Sequence, residues 1–569
     1  MRGRDGGAGT AGALAGVLPA AGLRGPGPAL RPAAPSRPPR ARRRRRAPAA
    51  LALPALAVAA AVNLPLVYLF VRSSEGGLGR YLDTVVSART LGLVGSTLGL
   101  VAGVVALSLA VAVPLAWLVA RTDLPGRRFW AVAGALPLVF PSYVSAFALV
   151  AVLGPRGYLQ GWLEAWLGIE RLPGLVYGYG GALVALALFT YPYTYLLAVA
   201  ALRRSDPALE ETSRVLGRGR WRTFFGVVLP RLRPALLAGS LLVALYTLSD
   251  FGAVSIVRYD TFTLAIYNAY RGLFDRTVAA SLATVLVALT VALIALEALL
   301  ARRVRPAPPA TGRPLERVRL GRWRWPALAA VAVLALVTLG LPLGVIAYWG
   351  ARAVALGNPL GAAGGAAAGS LAVSVAAALA AVALALPAAA WAARHPSRPA
   401  RAVERASHAG YALPGIVVAL SLVFFVSRYL PALYQTLAIL VAAYVVRFLP
   451  EALAAARSAF AAVPARYEEA ARSLGRGPLG VLATLTLPLV RPGLAAGGGL
   501  VFLTAMKELP ATLILRPIGF DTLASRVWSA ASEAIYSEAA LPALLLVAAS
   551  ALPVYMLIIR PALAERGAA

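Results

Sequence analysis

Residues 469–477 read Glu469-Ala470-Ala471-Arg472-Ser473-Leu474-Gly475-Arg476-Gly477, and residues 211–219 read Glu211-Thr212-Ser213-Arg214-Val215-Leu216-Gly217-Arg218-Gly219. The offset is 258. It continues without a gap, pairing Leu229-Pro230 with Leu487-Pro488, Arg233-Pro234 with Arg491-Pro492, Ala238-Gly239 with Ala496-Gly497 and Arg258 with Arg516. The chain therefore contains an internal duplication, and the fold must be two copies of one unit. Each copy predicts a short helix, over Pro207 to Val215 and over Pro464 to Leu474. A proline opens each helix and acids fill the early turns, where the helix dipole favours them. Glu468 and Arg472 are spaced to pair on one face. Gly217 and Gly475 stop the helices and permit a sharp turn.

The sequence flanking these loops is oily. Of 569 residues, 60% are apolar and only 14% charged, with a mean hydropathy of +0.74. Soluble domains run nearer 45–50% apolar and about 25% charged, so most of this chain must be dissolved in lipid. Twelve stretches predict membrane spans: 49–71, 91–120, 129–153, 175–202, 235–257, 277–301, 326–348, 367–393, 407–427, 431–456, 493–515 and 539–559. Leu229-Pro230 and Leu487-Pro488 are expected to start the return from each loop to the bilayer. With the N-terminus inside, the inner segments 1–48, 121–128, 203–233, 302–324, 394–405, 457–491 and 560–569 hold 41 of the 55 basic residues. That bias sets the orientation, with both termini cytoplasmic.

The expected architecture is all-α and polytopic, with about twelve transmembrane helices in two parallel six-helix repeats. Residues 1–48 predict a disordered basic tail, 49–301 the first half with its loop 203–233, 302–325 an Arg/Pro-rich cytoplasmic linker, and 326–565 the second half with its loop 457–491. Because both loops fall on the cytoplasmic side, the halves are related by an axis along the membrane normal.

Composition also excludes. Without cysteine there is no disulfide, thiol nucleophile or thiolate metal site, and two histidines, His395 and His408, cannot build a multi-histidine centre. The single lysine, Lys507, is followed by Glu508 and lacks the glycines of a phosphate-binding loop. Any ATP that drives this chain must bind another subunit. The net charge of +32 is cut into short stretches between apolar spans, which argues against nucleic acid.

The motif Glu469-Ala470-Ala471-x-x-x-Gly475 followed by Leu487-Pro488 resembles the EAA loop of ATP-binding-cassette importer permeases. The first copy, Glu211-Thr212-Ser213-x-x-x-Gly217 with Leu229-Pro230, is similar but carries Thr and Ser for the alanines. Met506-Lys507-Glu508-Leu509-Pro510-Ala511-Thr512-Leu513, then Arg516-Pro517 and Gly519-Phe520-Asp521-Thr522-Leu523-Ala524, resembles the fused permeases of iron(III) uptake systems. The resemblance implies a type I permease of the bacterial plasma membrane, with no catalysis or bound cofactor of its own. It also implies two ATPase subunits docked on the loops and an extracytoplasmic solute-binding protein. Thiamine, phosphonates and other small solutes are alternative cargoes, and an ion-coupled secondary transporter is a rival class.

Three of the ionisable residues within predicted spans stand out. Asp250 and Glu508 align under the offset, about fifteen residues into the helix after each loop, and Lys507 adjoins Glu508. A carboxylate at that depth is a functional candidate by default. Two readings stand: the acids border the translocation path, or Glu508 pairs with Lys507 or an arginine to fix packing. Arg258 and Arg516 are expected to snorkel at the outer interface, and Tyr191, Tyr193 and Tyr195 to form an interfacial belt.

Overall fold

The computed structural model describes residues 48–155, 157–168, 176–205, 208–302, 317–357, 360–408, 410 and 413–556. Residues 1–47 of the expected tail 1–48, Pro207 at the start of the first expected loop helix, most of the linker (303–316) and the C-terminal residues 557–569 lie outside them. Among the described residues there is no strand, only one isolated bridge between Thr122 and Val318.

Among the described residues, ten helices recur in each half. The first half contains α1 (Ala49–Ser74), α2 (Ala88–Arg121), α3 (Arg127–Ala133), α4 (Ser142–Leu153), α5 (Tyr179–Arg203), α6 (Ala208–Val215), α7 (Trp221–Ser249), α8 (Gly252–Ile256), α9 (Phe262–Arg271) and α10 (Arg276–Arg302). The second repeats the order with α11 (Gly321–Ala355), α12 (Leu360–Arg394), α13 (Arg398–Ser407), α14 (Gly415–Tyr429), α15 (Leu437–Ala462), α16 (Ala465–Ser473), α17 (Pro478–Met506), α18 (Pro510–Leu515), α19 (Leu523–Ser532) and α20 (Tyr536–Val554). Each second-half label is thus ten above its counterpart. Two short helices, Leu78–Val85 and Tyr158–Leu167, are extra to the first half.

Among the described residues, ten helices are long and apolar enough to cross a membrane. The other two expected spans are interrupted. Span 129–153 is a pair bent by 96° around Val139 to Ser142. Span 407–427 is divided between α13 and α14, and α14 has only fifteen residues, about 22 Å at 1.5 Å per residue. Proline explains both breaks: Pro137 and Pro141 precede α4 and Pro414 precedes α14, and each removes a backbone donor.

The return from each loop also differs from expectation. Helix α7 already runs from Trp221 and α17 from Pro478, so Leu229-Pro230 and Leu487-Pro488 sit inside continuous helices. Just before them the helix widens into a π-turn, at Phe224–Val228 and Leu482–Thr486. A third π-turn, Leu336–Gly340, precedes Leu341-Pro342. The proline ring would crowd a carbonyl four residues back, and the wider turn makes room for it.

The first helices are exchanged. Helix α1 packs on α12, α13 and α14 of the other half as well as on α10 of its own, while α11 packs on α4 of the other half as well as on α20 of its own. Val331 of α11 is buried with Leu115, Tyr191 and Tyr195 of the first half. Tyr191 and Tyr195 are core residues, each 1% exposed, so the expected aromatic belt is not formed there.

Candidate functional site

The duplicated loops fold alike. In each, the glycine takes a left-handed backbone, φ +76° at Gly217 and +82° at Gly475. The turn closes with paired bonds. Arg218 N–H donates to Ser213 O (3.1 Å) and Gly217 N–H to Arg214 O (2.9 Å), while Arg476 N–H donates to Ala471 O (3.2 Å) and Gly475 N–H to Arg472 O (3.0 Å). This is a Schellman cap, whose left-handed position is usually filled by glycine. Ser213 stands in place of Ala471 and is buried, its hydroxyl 3.1 Å from that of Thr223.

The two acids in each loop helix have different duties. Glu211 and Glu469 are exposed, as is Ala470, while Ala471 is half-buried. Their neighbours Glu210 and Glu468 are buried and ion-paired. Glu210 pairs with Arg121 at the end of α2. Glu468 pairs with Arg394 at the end of α12 at 2.8 Å, accepts from the Thr486 hydroxyl at 3.1 Å, and lies 3.5 Å from Arg472. Large aliphatic side chains stand out at the tips: Val215 is 86% exposed, Leu216 72%, Leu474 84% and Leu479 81%. The sequence pattern marked Glu468 only as a partner of Arg472, and did not mark Glu210, Arg121 or Arg394. The acids match under the same offset of 258, but the arginines match only at 273, because the halves differ in length between α5 and α2.

Between the halves lies a cavity of about 370 Å³. Its wall includes Asp250, Lys507 and Glu508, so the structure brings the three predicted residues together. They are not inside helices. Helix α7 stops at Ser249 and α17 at Met506, and the chain restarts as α8 and α18. Each carboxylate caps the restarting helix, satisfying amides that would otherwise be orphaned. Asp250 Oδ1 accepts from Ala253 N–H (3.0 Å) and Val254 N–H (3.3 Å), and Glu508 Oε1 accepts from Ala511 N–H (3.2 Å). The broken ends are tied similarly, since Thr263 Oγ donates to Asp250 O and Thr512 Oγ to Glu508 O, both at 2.6 Å.

The remaining partner of each carboxylate differs. The Ser142 hydroxyl donates to Asp250. Gly415 occupies the corresponding place in the second half, and the Arg447 guanidinium binds Glu508 there at 2.8 Å. A β-carbon at Gly415 would collide with that guanidinium and stand 2.5 Å from Glu508 Oε1. Glu508 therefore pairs with an arginine, not with Lys507. Lys507 Nζ reaches across to the other half and donates to Leu138 O at 2.6 Å.

Arg447 and Glu451 complete the polar wall, and Thr504 Oγ donates to Glu451 Oε2 at 3.1 Å. Sequence reasoning missed both, although they lie within predicted span 431–456, where charge in an apolar run was the signal that could have found them. Aligning Pro450 with Pro192 places Phe189 and Tyr193 at their counterparts in the first half. The second half thus lines the wall with Arg447, Glu451, Lys507 and Glu508, whereas the first half sets Asp250 among Tyr143, Tyr193, Tyr246 and Phe251. Among the described residues no group of three or more His, Asp or Glu could hold a metal ion.

At the far ends, Arg516 is not a free snorkeller. It pairs with Asp521, which also holds Arg526 at 2.7 Å. Burial, then the nearby charges of Arg271 and Arg526, hold its guanidinium below the usual range. Arg258 lies over the Tyr177 ring, 5.5 Å from its centre.

A family model described as binding-protein-dependent transport system inner membrane component matches residues 112–306 and again 385–560. The chain is 32% identical over 504 residues to the Fe(3+)-transport system permease protein FbpB 2 of Haemophilus influenzae, covering 87% of this chain and 95% of that one. It is also 32% identical over 201 residues to the molybdenum transport system permease protein ModB of Escherichia coli, covering 34% of this chain and 86% of the relative. The sulfate transport system permease protein CysW of Synechocystis is 28% identical over 194 residues, covering 33% and 68%.

Proposed function

Because the chain belongs to the family of binding-protein-dependent transport system inner membrane components, as a fused permease carrying the domain twice, we propose that it moves iron(III) inward across the plasma membrane. ATPase subunits and an extracytoplasmic solute-binding protein are the partners of such a permease. In this reading two ATPase subunits, or a homodimer of one, each take a loop helix. Glu211, Gly217, Leu229 and Pro230 shape the first docking element, and Glu469, Ala470, Ala471, Gly475, Leu487 and Pro488 the second. Both termini are cytoplasmic, and the chain binds no cofactor.

The observation that carries this is the pair of identically capped loop helices with bare aliphatic tips. Single exposed apolar side chains are ordinary on a surface, but Leu216 and Trp221, matched across the repeat by Leu474 and Leu479 and all exposed, mark docking points. Closure of the ATPases would draw the loops together and tilt the halves in opposite senses, opening the cavity to one side and then the other.

Iron(III) is supported by the relative that spans nearly the whole chain. Three carboxyl groups line the cavity beside two basic groups, and a hard trivalent ion prefers oxygen groups along its route. A second reading, an oxyanion, rests on Arg447 and Lys507 in the same wall and on the half-length molybdenum and sulfate relatives. Liposomes holding permease and ATPase, with binding protein outside, test both. ATP-dependent entry of radioactive iron is expected, and entry of molybdate or sulfate with none of iron would overturn the choice of cargo.

A further inference from the structure

Helices α7 and α17 leave the loops but break near mid-course, at Asp250 and at Lys507-Glu508. The covalent route from loop to far side is therefore not one rigid body. Helices α2 and α12 take a different course. Each runs without interruption for 34 and 35 residues, about 50 Å.

Both are fastened at two equivalent points. At the loop end Arg121 holds Glu210 of α6 and Arg394 holds Glu468 of α16, and Arg394 also donates to Val463 O at 3.0 Å. Further out, Thr97 Oγ accepts the N–H of Phe262, first residue of α9, at 3.3 Å, and Ser370 Oγ accepts the N–H of Leu523, first residue of α19, at 2.7 Å. Ser96 strengthens the first of these, donating to Asp260 O at 2.8 Å and accepting from the Tyr259 hydroxyl at 3.1 Å through its own carbonyl. The fastening residues match at one offset, 273, as do Pro114 and Pro387 between them. In each helix 24 residues separate hydroxyl from guanidinium, a rise of about 36 Å.

We infer that α2 and α12 are struts that couple each loop helix to the outer helix of its own half, α9 or α19, past the breaks in α7 and α17. This rests on the reading that ATPase subunits act on the loops. Linkage makes the coupling reciprocal, so a binding protein on the outer face would be felt by the ATPases through the same struts.

The test uses the complete complex in liposomes and reads the stimulation of ATP hydrolysis by loaded binding protein. R394M/E468M removes both charges together, which avoids stranding one buried ion. Expected is an inserted permease that still co-purifies with ATPase, with stimulation lowered about tenfold. R394E/E468R recovers part of it. S370A lowers stimulation by itself, and adding it to R394M/E468M costs little more, because two cuts in one strut are not additive. Unchanged stimulation in R394M/E468M, or independent multiplication of the two effects, overturns the strut. If R394M/E468M fails to insert, S370A and T97V decide, and unchanged stimulation in both overturns it. Loss of ATPase in L474D/L479D reports on docking alone. Should that variant keep its ATPase, the docking reading falls while the stimulation ratio still judges the strut.

Discussion

Gly415 and Ser142 occupy equivalent places beside equivalent carboxylates, yet one has no side chain and the other a hydroxyl. The reason is the Arg447 guanidinium, which fills on Glu508 the space that Ser142 Oγ fills on Asp250. Gly415→Ser is therefore expected to displace Arg447 from Glu508. Breaking a buried pair costs about 3–5 kcal/mol. A fall in the detergent melting temperature with loss of uptake would bear this out, and wild-type values for both would refute it. Gly475→Ala tests another constraint. A left-handed non-glycine residue costs about 1–2 kcal/mol, concentrated in one turn. Expected is weaker recovery of ATPase in a pull-down with little change in melting temperature. Asp250 and Glu508 were legible as candidates because charge inside an apolar run is conspicuous. Their capping duty was not legible, because it depends on a helix break that no local pattern distinguished from a continuous span.

The loop helices are the elements most fully written in the sequence. Their position, length and glycine cap follow from Pro464, the early acids and Gly475, and from the same register in the first copy. What the pattern could not convey was where the next helix begins. Leu-Pro looks like a starting signal, since proline is favoured in a first turn. Here a π-turn accommodates it within a helix already under way. Likewise the breaks before α4 and α14 stem from proline, but proline is tolerated within other spans, such as Pro114 and Pro387, so its presence alone does not announce a break. The exposed tips carry the element-scale prediction. L474D/L479D places charge on side chains that touch little of their own chain, so melting should be unaffected while ATPase recovery is lost. The equivalent change L216D/W221D in the first copy should behave alike if the two loops share the load.

At the scale of the molecule, the duplication foretold two halves but not their exchange of first helices. Hydropathy marks that a helix is buried in lipid or protein and says nothing of which neighbour it chooses. Helix α1 lies on α12, α13 and α14, and α11 lies on α4, so each half completes the other. Further ties cross between them: Lys507 to Leu138, and Trp528 Nε1 to Ser255 Oγ at 2.8 Å. With so many non-covalent connections, continuity through the linker contributes mainly effective concentration. Co-expression of residues 1–310 with residues 311–569 should therefore give two fragments that purify together and transport together, whereas either alone leaves an oily face of its first helix uncovered and should be degraded. Fragments that accumulate separately without associating would mean that the exchanged helices do not hold the halves, and that the linker does.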